Sequence, residues 1–190
     1  MIELRPYQRQ AVNAAFSEIQ AQRRSPLIVL PTGGGKTVVF LDFISEWLIL
    51  NPDHRILVLA HRNELVMQPE RRMQAMFGHA YHCGVISASG NRADYGAQVT
   101  FAMKDTLVSK KRMAKYLAYG VPDVIITDEA HHAVAGTWAA VLAADPNSKV
   151  LGVTATPERL DGKGLREAFD ELVLGPSVRE LILDGYLAEY

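Results

Sequence analysis

The sequence predicts an α/β fold, a doubly wound and mainly parallel sheet sandwiched by helices. Two observations predict it. Short, continuous apolar runs, typical of parallel strands that are covered on both faces, alternate with helix-like segments along the whole chain. Polar clusters at 33–37, 128–131 and 154–156 each follow such a run directly. We expect these clusters to lie at strand carboxyl ends, the edge of the sheet where ligands bind in this class of fold.

The composition favours a soluble globular protein with a single domain over residues 1–190, since 48% of the residues are hydrophobic and 22% are charged. No apolar run reaches the length of a membrane span and the N-terminus has no apolar signal core, so we expect a cytoplasmic location and no membrane partner. A formal net charge of −1 argues against a strongly basic coat for nucleic acid but is compatible with a few placed contacts. The single cysteine, Cys83, is interpreted as a buried thiol without a function.

Apolar periodicity predicts the elements in order. A proline suited to a first helical turn and one apolar face predict an amphipathic helix within residues 1–24. The helix at 38–50 is apolar almost all round, so it is expected to be largely buried. The predicted strands are 27–30, 55–60, 82–87, 98–102, 122–127, 149–154 and one near 173; the other predicted helices are 61–76, a basic helix at 104–116, a short helix at 138–144 and a helix within 176–190 that Ser177 caps.

The first polar cluster is a phosphate loop between a strand and a helix. Glycines let the backbone turn its N–H groups toward a polyphosphate, and the next helix presents its positive dipole end to the same place. Lys36 is then expected to reach the β- and γ-phosphates, and Thr37 the Mg²⁺ ion. The strict pattern has a glycine where this chain has Leu30, and the alternative is a glycine-rich turn beside a lysine. The loop reads Thr32-Gly33-Gly34-Gly35-Lys36-Thr37.

The second cluster is an acidic pair, Asp128 and Glu129, directly after a β-favouring run. Asp128 is expected to hold Mg²⁺, usually through water, because magnesium keeps part of its hydration shell. Glu129 is expected to orient the attacking water. The alternative is an acidic pair at a helix N-terminus, where it favours the helix dipole.

Three residues beyond Asp128, His131 is placed to bridge to Thr154 or Thr156 at the end of the next strand. The alternative for the two threonines is that they are ordinary β-branched strand residues.

A third predicted site follows the strand at 55–60. His61, Arg62 and Asn63 combine a helix N-terminus with cationic side chains, which suits a nucleic-acid phosphate and not a specific base. His61 could instead be a core residue or a cap. Basic clusters such as Lys110-Lys111-Arg112 also have two interpretations. Each is either a contact to nucleic acid or a solvated helix face.

Taken in order, these motifs resemble those of superfamily 2 helicases and translocases of the DEAH-box-like kind, over nearly the entire chain. Leu4–Gln8 is similar to the adenine-recognising Q-type motif, which implies that Gln8 reads the adenine edge with Arg5 or Tyr7 packed nearby. In that family a leucine at position 30 is unremarkable. The remaining matches are motif I at 31–37, motif Ia at 59–65, motif II at 128–131 and motif III at 154–156, with 157, 159–162 and 175–177 similar to a bacterial and phage branch related to repair helicases.

One segment departs from the family pattern. Where relatives place a small polar residue and a glutamine before a Thr-Leu pair, this chain has Met103-Lys104-Asp105-Thr106-Leu107. A phosphate near Asp105 would be repelled, so this segment is not expected to contact a nucleic-acid strand.

The resemblance implies a RecA-like domain that uses ATP and Mg²⁺ and works with a second RecA-like lobe, to which 176–190 leads. That lobe supplies arginines that stabilise transition-state charge, so the isolated chain is expected to bind ATP weakly and to hydrolyse it very slowly. Three functions stay open: the ATPase lobe of a helicase or translocase, with DNA favoured over RNA; the motor of a restriction or defence complex; and a nucleotide-dependent binding switch without turnover.

Overall fold

The computed structural model describes residues 3–21, 25–60, 64–87, 93–107, 109–130, 147–156, 165 and 169–188. Within these residues, seven strands form one sheet in the order β3-β4-β2-β5-β6-β1-β7, and every neighbouring pair is parallel. The predicted doubly wound parallel sheet is therefore confirmed. The strands are β1 (Pro26–Val29), β2 (Ile56–Ala60), β3 (Cys83–Ile86), β4 (Val99–Met103), β5 (Val124–Asp128), β6 (Lys149–Thr154) and β7 (Glu171–Leu174).

Helices cover both faces of the sheet, and the strand residues alternate between two hydrophobic clusters. In β5, Val124 and Ile126 join the cluster that contains Phe40 and Phe43, whereas Ile125 joins the cluster that contains Tyr116. This period of two explains why the strands read as unbroken apolar runs, because both faces are buried. The described helices are α1 (Pro6–Gln20), α2 (Lys36–Leu50), α3 (Glu64–Phe77), α4 (Lys104–Leu107), α5 (Lys110–Leu117) and α6 (Val178–Leu183).

The structure corrects the predicted single helix at 104–116, which is two helices, α4 and α5. Ser109 interrupts it as an N-cap, since its side chain accepts a hydrogen bond from Arg112 N at 3.4 Å and so begins a new helix. The predicted cap of α6 is confirmed, because Ser177 and Glu180 form a reciprocal capping box. The predicted helix at 138–144 lies outside the described residues.

Helix α1 is fastened to α2 by charge and by aromatic packing. Arg9 pairs with Asp42 at 3.0 Å and also with Glu46, two residues of the polar stripe on α2. The rings of Phe16 and Phe43 pack with centroids 4.6 Å apart. Because α2 begins at the end of the glycine loop, this pairing sets the first turn of α1 beside that loop.

Candidate nucleotide site

Two of the predicted polar clusters and Asp128-Glu129 of the third meet at one edge of the sheet, because they follow the three neighbouring strands β5, β6 and β1. The register pairs Val29 with Thr154 and Asp128 with Val153. Leu30 N donates a hydrogen bond to Thr154 O at 2.9 Å, and the Leu30 side chain is fully buried. Leu30 therefore joins the core at the position where the strict motif has glycine.

The glycine loop depends on glycine at two positions. Gly33 and Gly35 have φ angles of 82° and 81°, in the left-handed region that disfavours other residues. A Cβ atom on Gly35 would collide with Nε2 of Gln8, and one on Gly33 would lie 2.8 Å from Cδ2 of Leu187. Helix α2 starts at Lys36, directly after Gly35, and its first N–H groups have no partner within the helix. This is the geometry that suits a bound polyphosphate.

Lys36 joins the glycine loop to the acidic pair on β5. Its Nζ lies 3.8 Å from Oε1 of Glu129, and both side chains are mostly buried, with 11% and 25% of their surface exposed. The predicted phosphate-binding lysine and the predicted water-orienting glutamate therefore face each other across one site.

Asp128 is a buried carboxylate at the end of β5. Burial first, and then the charge of Glu129, raise the pKa of Asp128 to about 6, although the backbone N–H of Glu129 and the charge of Lys36 oppose the shift. Glu129 itself has φ 50°, the one non-glycine residue with positive φ among the described residues. Asp128, which burial drives toward the neutral form, and the neighbouring Glu129 carboxylate are a donor set that a divalent cation fits, since a cation compensates the buried negative charge.

Side chains from α1 brace the glycine loop. Gln8 is buried; its Oε1 accepts from Arg5 N at 3.0 Å and its Nε2 donates to Gly34 O at 3.1 Å. Tyr7 OH donates to the same carbonyl at 3.0 Å, and Arg5 Nη1 donates to Tyr7 OH at 3.3 Å. An amide carries a second N–H and a second lone pair, so the predicted adenine contact of Gln8 stays a prediction that this geometry permits.

A cavity of about 490 Å³ opens beside the loop, within the usual range for a small-molecule site. Three of its lining residues, Glu3, Val38 and Arg72, were not predicted as site residues. Arg72 lies on α3, far from the loop in sequence, so no local signal links it to the site, whereas Glu3 directly precedes the Leu4–Gln8 motif and Val38 directly follows the loop. The lining residues are Glu3, Arg5, Gln8, Gly33, Gly35, Lys36, Thr37, Val38 and Arg72.

The predicted coupling and nucleic-acid residues are described only in part. Thr154 Oγ1 donates to Thr156 O at 3.0 Å and accepts from Thr156 N at 3.2 Å, which closes a turn directly after β6. His131, and the group of His61, Arg62 and Asn63, lie outside the described residues. The bridge from His131 and the contacts to nucleic acid therefore stay predictions.

A protein-family model described as "Type III restriction enzyme, res subunit" matches residues 1–159. Among curated proteins, the chain is 32% identical to the putative mitochondrial ATP-dependent helicase irc3 of Schizosaccharomyces pombe, over 99% of the chain and 32% of that protein. It is also 32% identical to the DNA 3'-5' translocase XPB2 of Sulfurisphaera tokodaii, over 100% of the chain and 39% of that protein. The chain thus spans about a third of the length of these relatives.

Among solved structures, the UvsW helicase of bacteriophage T4 superimposes with a TM-score of 0.70 at 21% identity, over 91% of this chain and 60% of that one. At this identity the likeness shows the fold alone, that of a RecA-like domain. No helix among the described residues is long and apolar enough to cross a membrane.

Proposed function

Because the chain belongs to the family described as type III restriction enzyme, res subunit, we propose that it is the ATP-binding lobe of a DNA helicase or translocase. Such a lobe couples ATP hydrolysis to movement along DNA or to its remodelling. One observation carries the proposal: Lys36, after β1, and Glu129, after β5, face each other 3.8 Å apart beside the buried Asp128, across the end of the intervening strand β6. A scaffold that only binds nucleotide has no need of a buried, water-orienting glutamate opposite the phosphate-binding lysine.

We propose the following roles for the residues; the arrangement of the glycine loop, Lys36, Asp128 and Glu129 supports the first of them, and the resemblance of the motifs supports the rest. The backbone of Thr32-Gly33-Gly34-Gly35 cradles the phosphates, Lys36 contacts the β- and γ-phosphates, and Thr37 and Asp128 hold Mg²⁺. Mg²⁺, when bound with ATP, neutralises charge that develops on the transferred phosphate. Glu129 orients the attacking water. Arg5, Tyr7 and Gln8 recognise adenine; His131, Thr154 and Thr156 couple the nucleotide site to the strand site; and His61, Arg62 and Asn63 contact the DNA backbone.

DNA and a second lobe are proposed as partners. Two observations support these partners: one relative is a DNA translocase, and this chain covers only 32% and 39% of the two relatives, which leaves room in each for a second lobe. We propose that residues 1–24 form the adenine-recognition helix of this single domain and that 176–190 lead to the second lobe. The cytoplasmic location stays a prediction from the sequence.

The test is ATP turnover by the full-length natural protein with and without single-stranded or duplex DNA. We expect DNA to stimulate turnover, and Lys36→Ala and Glu129→Gln each to reduce it by about 10³-fold or more. Asp53→Asn is the matched control for Glu129→Gln, because Asp53 is an exposed carboxylate before β2, at the opposite edge of the sheet. Nucleotide binding without turnover would favour the binding switch, and turnover that ignores DNA or survives both substitutions would contradict the proposal as well.

A second candidate is the motor of a restriction or defence complex, which the description of the matching family favours. The two candidates share this ATPase lobe and differ in an attached nuclease. DNA cleavage that requires both ATP and Lys36 would identify the restriction motor, whereas translocation without cleavage would identify the helicase or translocase.

A further inference from the structure

We propose that the turn after α6, Gly185–Leu187, is a positioning element of the nucleotide site. In this proposal, which rests on the proposed ATP-binding function, Tyr186 holds Arg5 and Leu187 holds the glycine loop at Gly33. Neither residue contacts the nucleotide. Nucleotide affinity then depends on a segment that lies about 150 residues beyond the loop in sequence.

The path of the turn is fixed by the end of α6. Gly185 N donates to Ile182 O at 2.9 Å and Tyr186 N donates to Leu181 O at 2.8 Å, the paired bonds of a Schellman motif. Gly185 has φ 72°, and a Cβ atom there would meet nothing within 4 Å, so backbone conformation alone requires glycine. Because Leu181 is fully buried, α6 is anchored and the turn has a defined direction.

Tyr186 contacts the α1 wall of the cavity in three ways. The Arg5 guanidinium lies over the Tyr186 ring, 4.9 Å from its centroid, and Arg5 Nη1 donates to Tyr186 O at 3.3 Å. The Tyr7 ring meets the Tyr186 ring edge-on, with centroids 5.4 Å apart. These contacts use the ring and the backbone carbonyl of Tyr186, and none of them uses its hydroxyl.

The contacts continue from Arg5 to the loop. Arg5 lines the cavity, and its backbone N–H donates to Gln8, whose amide donates in turn to Gly34 O. Tyr7 reaches the same carbonyl of Gly34. The ring of Tyr186 thus packs against Tyr7, which contacts Gly34 directly, and against Arg5, which is linked to Gly34 through Tyr7 and Gln8.

Leu187 acts on the loop directly. Its Cδ2 occupies the space that a Cβ atom on Gly33 would need, at 2.8 Å from the Cβ position. The side chain therefore packs against the backbone of Gly33, the residue at which the loop takes up its first left-handed φ, 82°. One turn consequently holds the cavity at two points, the arginine on α1 and the first glycine of the loop.

The experiment measures binding of a fluorescent ADP analogue with Mg²⁺ to the full-length natural protein. We expect Tyr186→Ala to weaken binding roughly fivefold to tenfold, because Arg5 loses its aromatic partner. Tyr186→Phe should bind like wild type, since the hydroxyl takes no part. Leu187→Ala should weaken binding severalfold, whereas Leu183→Ala, which changes an exposed leucine at the end of α6, should not. Thermal unfolding of each variant checks that the fold is kept.

A double-mutant cycle with Arg5→Ala tests whether Tyr186 acts through Arg5. We expect Tyr186→Ala to change affinity by less than about twofold in the Arg5→Ala background, because residues that act as a unit are not additive. Wild-type affinity in Tyr186→Ala and Leu187→Ala, or fully multiplicative effects with Arg5→Ala, would overturn this inference alone. Failure of the wild-type protein to bind the analogue would overturn the proposed function and this inference with it.

Discussion

The two loops that form the candidate site, after β1 and after β5, are held in opposite ways. In the loop after β1, the positive φ angles fall on glycines, and the Gly34 carbonyl accepts hydrogen bonds from both Tyr7 and Gln8. After β5, the positive φ falls on Glu129, and the neighbouring Asp128 is a buried carboxylate with a raised pKa. The glycine loop is therefore pre-formed for phosphate. The acidic loop carries the cost of a buried carboxylate and of an unfavourable φ, which a bound cation would offset in part.

This difference separates two kinds of functional residue. Gly33 and Gly35 satisfy every local rule of their positions, so replacing them can only lose both stability and binding. Asp128 and Glu129 break local rules, one by burial of charge and the other by backbone conformation, and such conflicts concentrate at functional sites. Replacing the acidic residues should therefore stabilise the chain while it abolishes function. Three substitutions test the contrast.

The largest effect is expected from Gly35→Ala. The new Cβ displaces the Gln8 amide from its place against the loop and the backbone has φ 81°, so we expect nucleotide binding, and with it ATP turnover, to fall by about a hundredfold. Gly78→Ala is the matched control, since Gly78 has φ 62° but open space around its Cβ position. It should destabilise the chain by about 1 kcal/mol without changing nucleotide affinity. Equal loss of binding in both variants would show that the loop is not pre-formed by its contact with Gln8.

A smaller effect is expected from Asp128→Asn, and it is an effect on stability. Whereas the glycine substitution destabilises the chain, Asp128→Asn should stabilise it. The pKa of Asp128 is raised from 3.8 to about 6 in the folded chain, so its stabilising contribution is complete below pH 3.8 and is lost as the pH rises through 6. At pH 7.5 in EDTA, Asp128→Asn should raise the free energy of unfolding by about 3 kcal/mol, and near pH 4 by roughly half a kcal/mol. Denaturant unfolding of wild type, Asp128→Asn and the exposed control Asp53→Asn measures this. A stability gain that does not grow with pH would contradict the burial explanation.

The sequence was sufficient for the features that are local. Most of the buried strands are short, mainly apolar runs, and the sheet topology then brings Lys36, Asp128 and Thr154 to one edge, as their positions at or after such runs predicted. It was also nearly sufficient at 104–116, where Ser109 carries a cap signal that a continuous basic pattern obscured.

The sequence was insufficient for contacts between distant elements. Arg72 lines the cavity from α3, and Tyr186 stacks under Arg5 from the far end of the chain. No spacing rule links these residues to the loop, because their proximity is a product of sheet order and helix packing. A glycine directly after α6 does signal a helix end with a defined turn, and that signal in Gly185 could have drawn attention to Tyr186.

The smallest expected effect is a difference in stability between two substitutions of Glu129, and it isolates the backbone strain at this position. Glu129→Gln keeps the side-chain shape and the φ of 50°, whereas Glu129→Gly removes the Cβ atom that makes this φ unfavourable. Both variants should lose ATP turnover. Glu129→Gly should be more stable than Glu129→Gln by about 1 kcal/mol, because glycine adopts left-handed φ without the steric penalty. Chemical denaturation of the two variants in the absence of nucleotide measures the difference. If Glu129→Gly is instead the less stable, the conformation at this position is relaxed and the raised free energy of the β5 loop comes from the buried charge of Asp128 alone.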